Sequence, residues 1–297
     1  MAILLIFVDG IGIGVHDPEH NPCTNSQLQL FNSFIDRPRT KPIPFNGQIK
    51  AIDAILDVPG IPQSATGQTS LLTGENAQQM LGRHLSGFPN EKLRQVIAEK
   101  SLLRRFTDAG KKAAFLNAYH PLVFEIGPEQ LIRRLSVTSV AVWTAGLQYK
   151  SFDELRDEQA VFHDFTNRDL IEKGYEVPQW TPFRAGEVLA TCATHYDFCM
   201  YEYFKTDRAG HNQNFQSAVD IILDLEQFIL TAVSEIDLQE NTVLVTSDHG
   251  NFEDLSIKSH TMNPVPLLVW GQYSENLIGK VNSIVDIAPL LITLECQ

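Results

Sequence analysis

Hydrophobic positions along the chain fall into short, dense runs that stop abruptly at polar or glycine-containing stretches. Four runs are rich in aliphatic residues: Ile3–Val8, Ala113–Leu116, Val243–Val245 and Val265–Trp270. A fifth, Phe198–Phe204 (FCMYEYF), is more aromatic. None alternates strictly between apolar and polar, so each reads as a strand covered on both faces. Between them lie stretches of helical character. EKLRQVIAEKSLLRRFTDAG ends at Gly110, a residue suited to closing a helix, and NFQSAVDIILDLEQFILTAVSEI fills residues 214–236. TSLLTGENAQQML, beginning at Thr69, is also expected to be helical. Strand and helix therefore alternate, which predicts an α/β fold with a mainly parallel sheet and helices on both faces.

The pattern lapses in residues 120–189. The text there is more charged and irregular, and only VTSVAVWTAGL resembles a strand. Structureless loops of this length are uncommon in compact domains. The stretch therefore predicts a small inserted cap, dividing the chain into a core of residues 1–119 and 190–297 and a cap of residues 120–189.

Composition adds limits on partners. The 297 residues are 43% hydrophobic and 20% charged, as in ordinary globular proteins. Thirty-six acidic against 23 basic residues give a net charge of −13. Such a body repels nucleic acid and anionic membranes, so neither is expected as a partner; a small anion needs local positive charge to bind. Cys23, Cys192, Cys199 and Cys296 form no CxxC pair, and reduced thiols in the cytoplasm are expected. The opening AILLIFV lacks a basic flank and runs at once into Asp9-Gly10, so it reads as a first strand rather than a targeting signal. No apolar run reaches the roughly 18 residues that spanning a membrane requires.

Polar residues gather where the apolar runs end. Ile3–Val8 is followed by Asp9 in VDGIGIG. Its glycines are spaced GxGxG rather than GxGxxG, and the next eight residues include two prolines, so a dinucleotide-binding helix is not expected. Phe198–Phe204 leads into KTDRAGH, where Asp207 and His211 stand four residues apart, one helical turn. The run ending at Val245 leads into SDHGN with Asp248 and His249, and His260 in KSHTMNPVP precedes Val265–Trp270. Each fragment has an ordinary reading as a cap, a surface histidine or a turn. Together, carboxylates and imidazoles at strand ends suit zinc or manganese, at the sheet edge where open α/β folds hold ligands. PGIPQSATGQTSLLTG adds hydroxyls at Ser64, Thr66, Thr69 and Ser70 near the start of a helix, where they serve as caps or as an activated nucleophile. GxSxG and HExxH are both missing.

Asp9, the hydroxyl-bearing loop, TDRAGH, SDHGN and SHTMNPVP together resemble the metalloenzyme core of the alkaline phosphatase superfamily. Within it the likeness is closest to the cofactor-independent phosphoglycerate mutase and phosphopentomutase branch. IVDIAPLLITL is similar to the helix that closes that fold, and residues 120–189 lie outside the likeness. The resemblance implies two divalent metal ions, Mn2+ or Zn2+. Asp207, His211 and His260 would hold one; Asp9, Ser64, Asp248 and His249 would hold the other. Ser64-Ala65-Thr66-Gly67-Gln68 fits the family's hydroxyl-x-x-Gly-His motif except at Gln68, making Ser64 the expected nucleophile and Thr66 the alternative. Three aspartates and a serine alkoxide would balance two divalent ions in charge. Gln68, Arg133 and Arg184 are candidate substrate contacts, with Arg134, Arg156 and Arg168 as further cations in the expected cap. The activity implied is phosphoryl transfer through a phosphoserine, read here as hydrolysis of a small phosphate ester. The alternatives are a phosphosugar or phosphoglycerate mutase and, in another class, a catalytically silent metal- or phosphate-binding protein.

Overall fold

A computed structural model describes residues 1–296. Six strands form one sheet: β1 (Ile3–Val8), β2 (Gln48–Ile52), β3 (Ala113–Phe115), β4 (Phe198–Tyr203), β5 (Thr242–Thr246) and β6 (Val265–Gly271), in the order β2-β6-β5-β1-β4-β3. β1 is parallel to both β4 and β5, with Ile3 level with Phe198 and Thr242, and β3 is parallel to β4. β6 runs antiparallel to β5, and β2 antiparallel to β6. The sheet is thus parallel in the middle, with an antiparallel pair at one edge.

Every residue of β1 is buried, and its side chains divide between two cores. Ile3, Leu5 and Phe7 pack with Leu71, Phe106, Val140 and Ile287 on one face. Leu4, Ile6 and Val8 pack with Tyr201, Leu225, Phe228 and Ile229 on the other. A strand covered on both faces needs no alternation, which explains its uninterrupted apolar text. β2, which the hydrophobic pattern did not signal, is an edge strand with only Ile52 buried.

The helices differ from expectation in their breaks. The segment ending at Gly110 is two helices, Glu91–Lys100 and Leu102–Asp108, divided at Ser101, whose hydroxyl accepts from Arg104 N to cap the second. Helix Ser64–Thr73 starts before Thr69 and stops at Gly74, so TSLLTGENAQQML is not continuous; Ala77–Leu81 is a separate short helix. The long helix is Phe215–Glu235, packed against helix Pro182–Ala193.

VTSVAVWTAGL, expected as a strand, is instead the helix Val137–Thr144, capped by Ser136. All of Val137–Val142 is buried. Such a run carries no period that separates helix from strand. Residues 120–189 as a whole supply side chains to both cores. Leu135, Val137 and Val140 enter the Phe7 side, and Phe152, Leu155, Phe165, Leu170 and Trp180 the Phe228 side. Among the described residues they form no separate cluster. Single bridges from Asn117 to Val161 and from Ala118 to Lys150 continue the sheet into this segment.

Candidate metal centre

β1 has β4 on one side and β5 on the other, so the connections leave the sheet in opposite directions at its middle and open a crevice at the carboxyl ends. Asp9 ends β1 there. Its amide donates to Tyr203 O at 2.8 Å, and its carbonyl accepts from Thr206 Oγ1 at 2.6 Å, which ties it to the chain leaving β4. That chain becomes helix Lys205–Asn212, and one turn brings Asp207 and His211 together, Oδ2 to Nε2 at 3.4 Å. Asp248 and His249 follow β5 and are fully buried. Because β6 runs antiparallel, its beginning lies at the same edge, and this is how His260, ahead of a strand, reaches residues that follow strands.

Two groups result. Asp207, His211 and His260 each offer one ligand atom within 4.8 Å of the others, as do Asp9, Asp248 and His249. The groups adjoin through His249 and His260, whose rings stack with centroids 3.8 Å apart. Ser64, in the first turn of helix Ser64–Thr73, places Oγ 3.0 Å from His249 Nε2, and that nitrogen is 3.4 Å from Asp9 Oδ1 and 3.5 Å from Asp248 Oδ2. Thr66 is buried elsewhere: its hydroxyl donates to Gln63 O and accepts from Leu85 N.

The donor set fits divalent cations. His211 Nδ1 and His260 Nδ1 each lie 2.8 Å from a carbonyl oxygen, of Lys258 and Pro62. A carbonyl can only accept, so both Nδ1 atoms carry a proton, and in the neutral rings both Nε2 atoms present lone pairs. Those Nε2 atoms lie 3.3 Å apart, and His260 Nε2 is 3.4 Å from Asp207 Oδ1. Lone pairs so placed repel one another; a cation among them converts each repulsion into a bond. The fixed Nδ1 partners also orient the rings, as they do for metal-bound histidines.

The other group is equally unbalanced. Asp9 Oδ1 and both carboxylate oxygens of Asp248 are buried without a hydrogen-bond partner. Burial first, then neighbouring carboxylates, raise Asp9 and Asp248 well above the usual aspartate range. Burial and the two nearby imidazoles push His249 well below its ordinary value. A neutral histidine beside carboxylates that lack counter-charge is a ligand set for a cation rather than a stable ion-pair network.

The candidate substrate contacts are placed differently. Gln68 is buried and donates its amide to Asp9 Oδ2 at 3.2 Å, so it is directed to a carboxylate of the centre. Arg184 is held at the surface by Glu158 at 2.5 Å and Glu187 at 2.8 Å. Arg133 is exposed, and neither arginine bonds to the seven candidate ligands among the described residues. Arg156 pairs with Asp153 and Arg168 with Asp224. Two further residues, outside the sequence candidates, adjoin the centre: Asn251, whose amide donates to Asp207 Oδ1 at 2.7 Å, and Glu253. Their signal was available in the same SDHGNFE text, one and three residues beyond Gly250.

Residues 184–294 match the Metalloenzyme superfamily model. The chain is similar to 2,3-bisphosphoglycerate-independent phosphoglycerate mutases, with 30% identity over 105 residues to that of Desulforudis audaxviator and 32% over 112 residues to that of Shewanella halifaxensis. These matches take in 33% and 35% of this chain, and the chain spans only about a fifth of either relative, 21% in both. Among solved structures, the PH0037 protein from Pyrococcus horikoshii superimposes with a TM-score of 0.59 and 14% identity, over 99% of this chain and 97% of that one. Alkaline phosphatase from the Antarctic bacterium TAB5 gives 0.55 and 14% over the same shares. At such identities the likeness is one of fold.

Proposed function

We propose that this chain, an alkaline phosphatase superfamily member by its Metalloenzyme segment and its fold, is a two-metal phosphoryl-transfer enzyme that hydrolyses a small phosphate ester through Ser64. The observation that carries the reading is the pair of acid–histidine groups meeting at His249 and His260, with a serine hydroxyl 3.0 Å from one of them. Asp207, His211 and His260 would hold one ion, and Asp9, Asp248, His249 and Ser64 the other. Mn2+ and Zn2+ both suit this mixture of imidazole and carboxylate. Bound divalent ions supply Lewis acidity, lowering the serine pKa and offsetting phosphoryl charge.

The chain's own residues perform the transfer. With ions held there, Ser64 Oγ would give up its proton to solvent and be the attacking oxygen. Its Oγ forms a bond to phosphorus while the bond from phosphorus to the ester oxygen breaks, and the alcohol leaves with a proton from solvent. Water then attacks the phosphoserine, the Oγ–phosphorus bond breaks, and inorganic phosphate departs with a proton released. Helix Ser64–Thr73 contributes its positive dipole end near the transferred group, although its Thr66 amide is already bonded to Leu85 O. His211, with 45% of its side chain exposed, leaves one side of the centre open to water, which supports hydrolysis. The mutase relatives support a second reading, in which a second hydroxyl of a retained intermediate takes the phosphoryl group. Four free thiols suit a reducing compartment, and we assign the protein to the cytoplasm on that ground.

The test is an acid quench during turnover with Mn2+ or Zn2+, across phosphate monoesters, diesters and phosphosugars. A phosphopeptide spanning residues 59–74 is expected in the wild type and missing from Ser64→Ala, with the rate down by several powers of ten. Its persistence in Ser64→Ala and loss in Thr66→Ala would transfer the role to Thr66. Isomerised phosphosugar without free phosphate would establish the mutase. Two bound ions with no turnover on any substrate would leave only the silent binding protein.

A further inference from the structure

Glu253 lies five residues beyond Asp248, is 1% exposed, and belongs to neither ligand group. Its carboxylate accepts from four donors. Oε2 receives the backbone N–H of Gly12 at 2.8 Å and of Asn251 at 2.9 Å. Oε1 receives the hydroxyl of Thr261 and, at 3.1 Å, the side-chain amide of Asn263. A carboxylate has about four acceptor positions, so this one is fully used.

The donors come from the three loops that carry the centre. Gly12 is three residues past Asp9, Asn251 two past His249, and Thr261 directly follows His260. Asn251 extends the reach, since its side-chain amide donates to Asp207 Oδ1 at 2.7 Å and to Asp207 O at 3.1 Å. Every loop bearing a proposed ligand, apart from the one with Ser64, is therefore one or two bonds from Glu253. The glycines agree: a Cβ on Gly12 or Gly250 would overlap a Glu253 carboxyl oxygen. The GIGIG text after β1, which suits no nucleotide, is partly a seat for this buried carboxylate.

We infer that Glu253 is the positioning residue of the metal centre, holding the loops of both ion sites in one register. It touches neither ion nor substrate. The inference rests on the two-metal reading, and the experiment separates the two. Glu253→Gln keeps the side chain's size but replaces one acceptor oxygen with an NH2 group that faces donors. Two bonds are lost if it meets the backbone amides of Gly12 and Asn251, and at least one if it meets Asn263 and the Thr261 hydroxyl, which can turn to accept. The chelator-treated wild type and variant are titrated with Mn2+ by calorimetry, and their melting temperatures are taken with and without the ion. Groups that orient metal ligands typically affect affinity by about 10–100-fold. We expect both sites of Glu253→Gln to weaken together by at least about tenfold. The rise in melting temperature on adding Mn2+ should shrink, which a merely structural role would not produce. Wild-type affinity in the variant, or weakening at one site alone, overturns the inference. A wild type that binds no Mn2+ removes the two-metal reading instead. Should Glu253→Gln fail to fold, Thr261→Val deletes one donor while keeping shape. It is expected to weaken Mn2+ binding by a smaller factor, and unchanged affinity there overturns the inference equally.

Discussion

Ser64 and Thr66 stand two residues apart on one helix, and their surroundings use the hydroxyl in opposite ways. Ser64 Oγ faces His249, whereas Thr66 Oγ1 is spent on Gln63 O and Leu85 N in the interior. Thr66→Ala should therefore cost stability, about 1 kcal/mol for the lost hydrogen bonds, while turnover at saturating metal stays near wild type. Urea denaturation beside an activity assay checks both halves. Buried carboxylates give this scale a pH signature as well. Burial, then repulsion from neighbouring carboxylates, raises Asp9 and Asp248 well above the usual range, and burial raises Glu202 to about 7. A folded-state pKa above the unfolded one means that the folded chain keeps protons the unfolded chain has released. That stabilisation is whole below the unfolded values, near 4, and disappears as pH rises through the raised ones. Chelator-treated protein should accordingly lose melting temperature from about pH 5 to about pH 7.5, and added Mn2+ should offset much of the loss at the upper end. A chelated protein that gains stability across that window would show that these carboxylates are not held protonated by burial. At this scale the residues that the structure gathers into two acid–histidine groups were legible because Asp and His stand out where apolar runs end or begin. Gln68 was not: nothing in its one-letter context says that its amide turns to Asp9.

Among the elements, the strands were readable and the helix Val137–Thr144 was not. Strands buried on both faces produce short solid apolar blocks between polar loops, as Ile3–Val8 and Thr242–Thr246 do. A short helix buried on all sides produces the same block, and VTSVAV is rich in the β-branched residues strands prefer. The deciding signal was Ser136, whose hydroxyl accepts from Ser139 N and so favours a helix start. It also bonds the hydroxyls of Thr138 and Ser139. Ser136→Ala should destabilise the protein by about 1 kcal/mol, whereas Ser136→Asp, which can still cap, should restore part of it. Chemical denaturation decides: equal losses in both variants would assign the effect to the hydroxyl cluster rather than the cap. β2 went unread for a different reason. An edge strand with mostly half-exposed side chains leaves little pattern, and its partner, antiparallel β6, is 217 residues away between their first residues, Gln48 and Val265.

For the whole molecule, the expected division into a core and a cap at residues 120–189 is put to the test by replacing the segment with a short flexible linker. Val137 and Val140 fill one core, and Phe165 and Trp180 the other, so removal opens both faces of the sheet. We expect the shortened chain to be insoluble or molten, without a cooperative melt. A shortened chain that melts cooperatively and binds two divalent ions would instead establish the segment as a true cap on an independent core. No helix among the described residues is long and apolar enough to cross a membrane.

The place of β1 at the middle of the sheet also has a consequence on the ribosome. Its two neighbours, β4 and β5, begin at Phe198 and Thr242, far later in the chain. At roughly 5–20 residues per second, Ile3–Val8 waits on the order of 10–40 seconds for a first partner. During that wait it is a charge-free, aliphatic, β-prone segment of the kind that nucleates aggregation. Synthesis of this protein thus depends on something shielding that strand, such as a chaperone or the nascent helices. Arrest-peptide measurements of the growing chain should register no folding force until β4 has left the exit tunnel, with the main event after β5. A strong early force, before β4 emerges, would mean that β1 finds a temporary partner of its own.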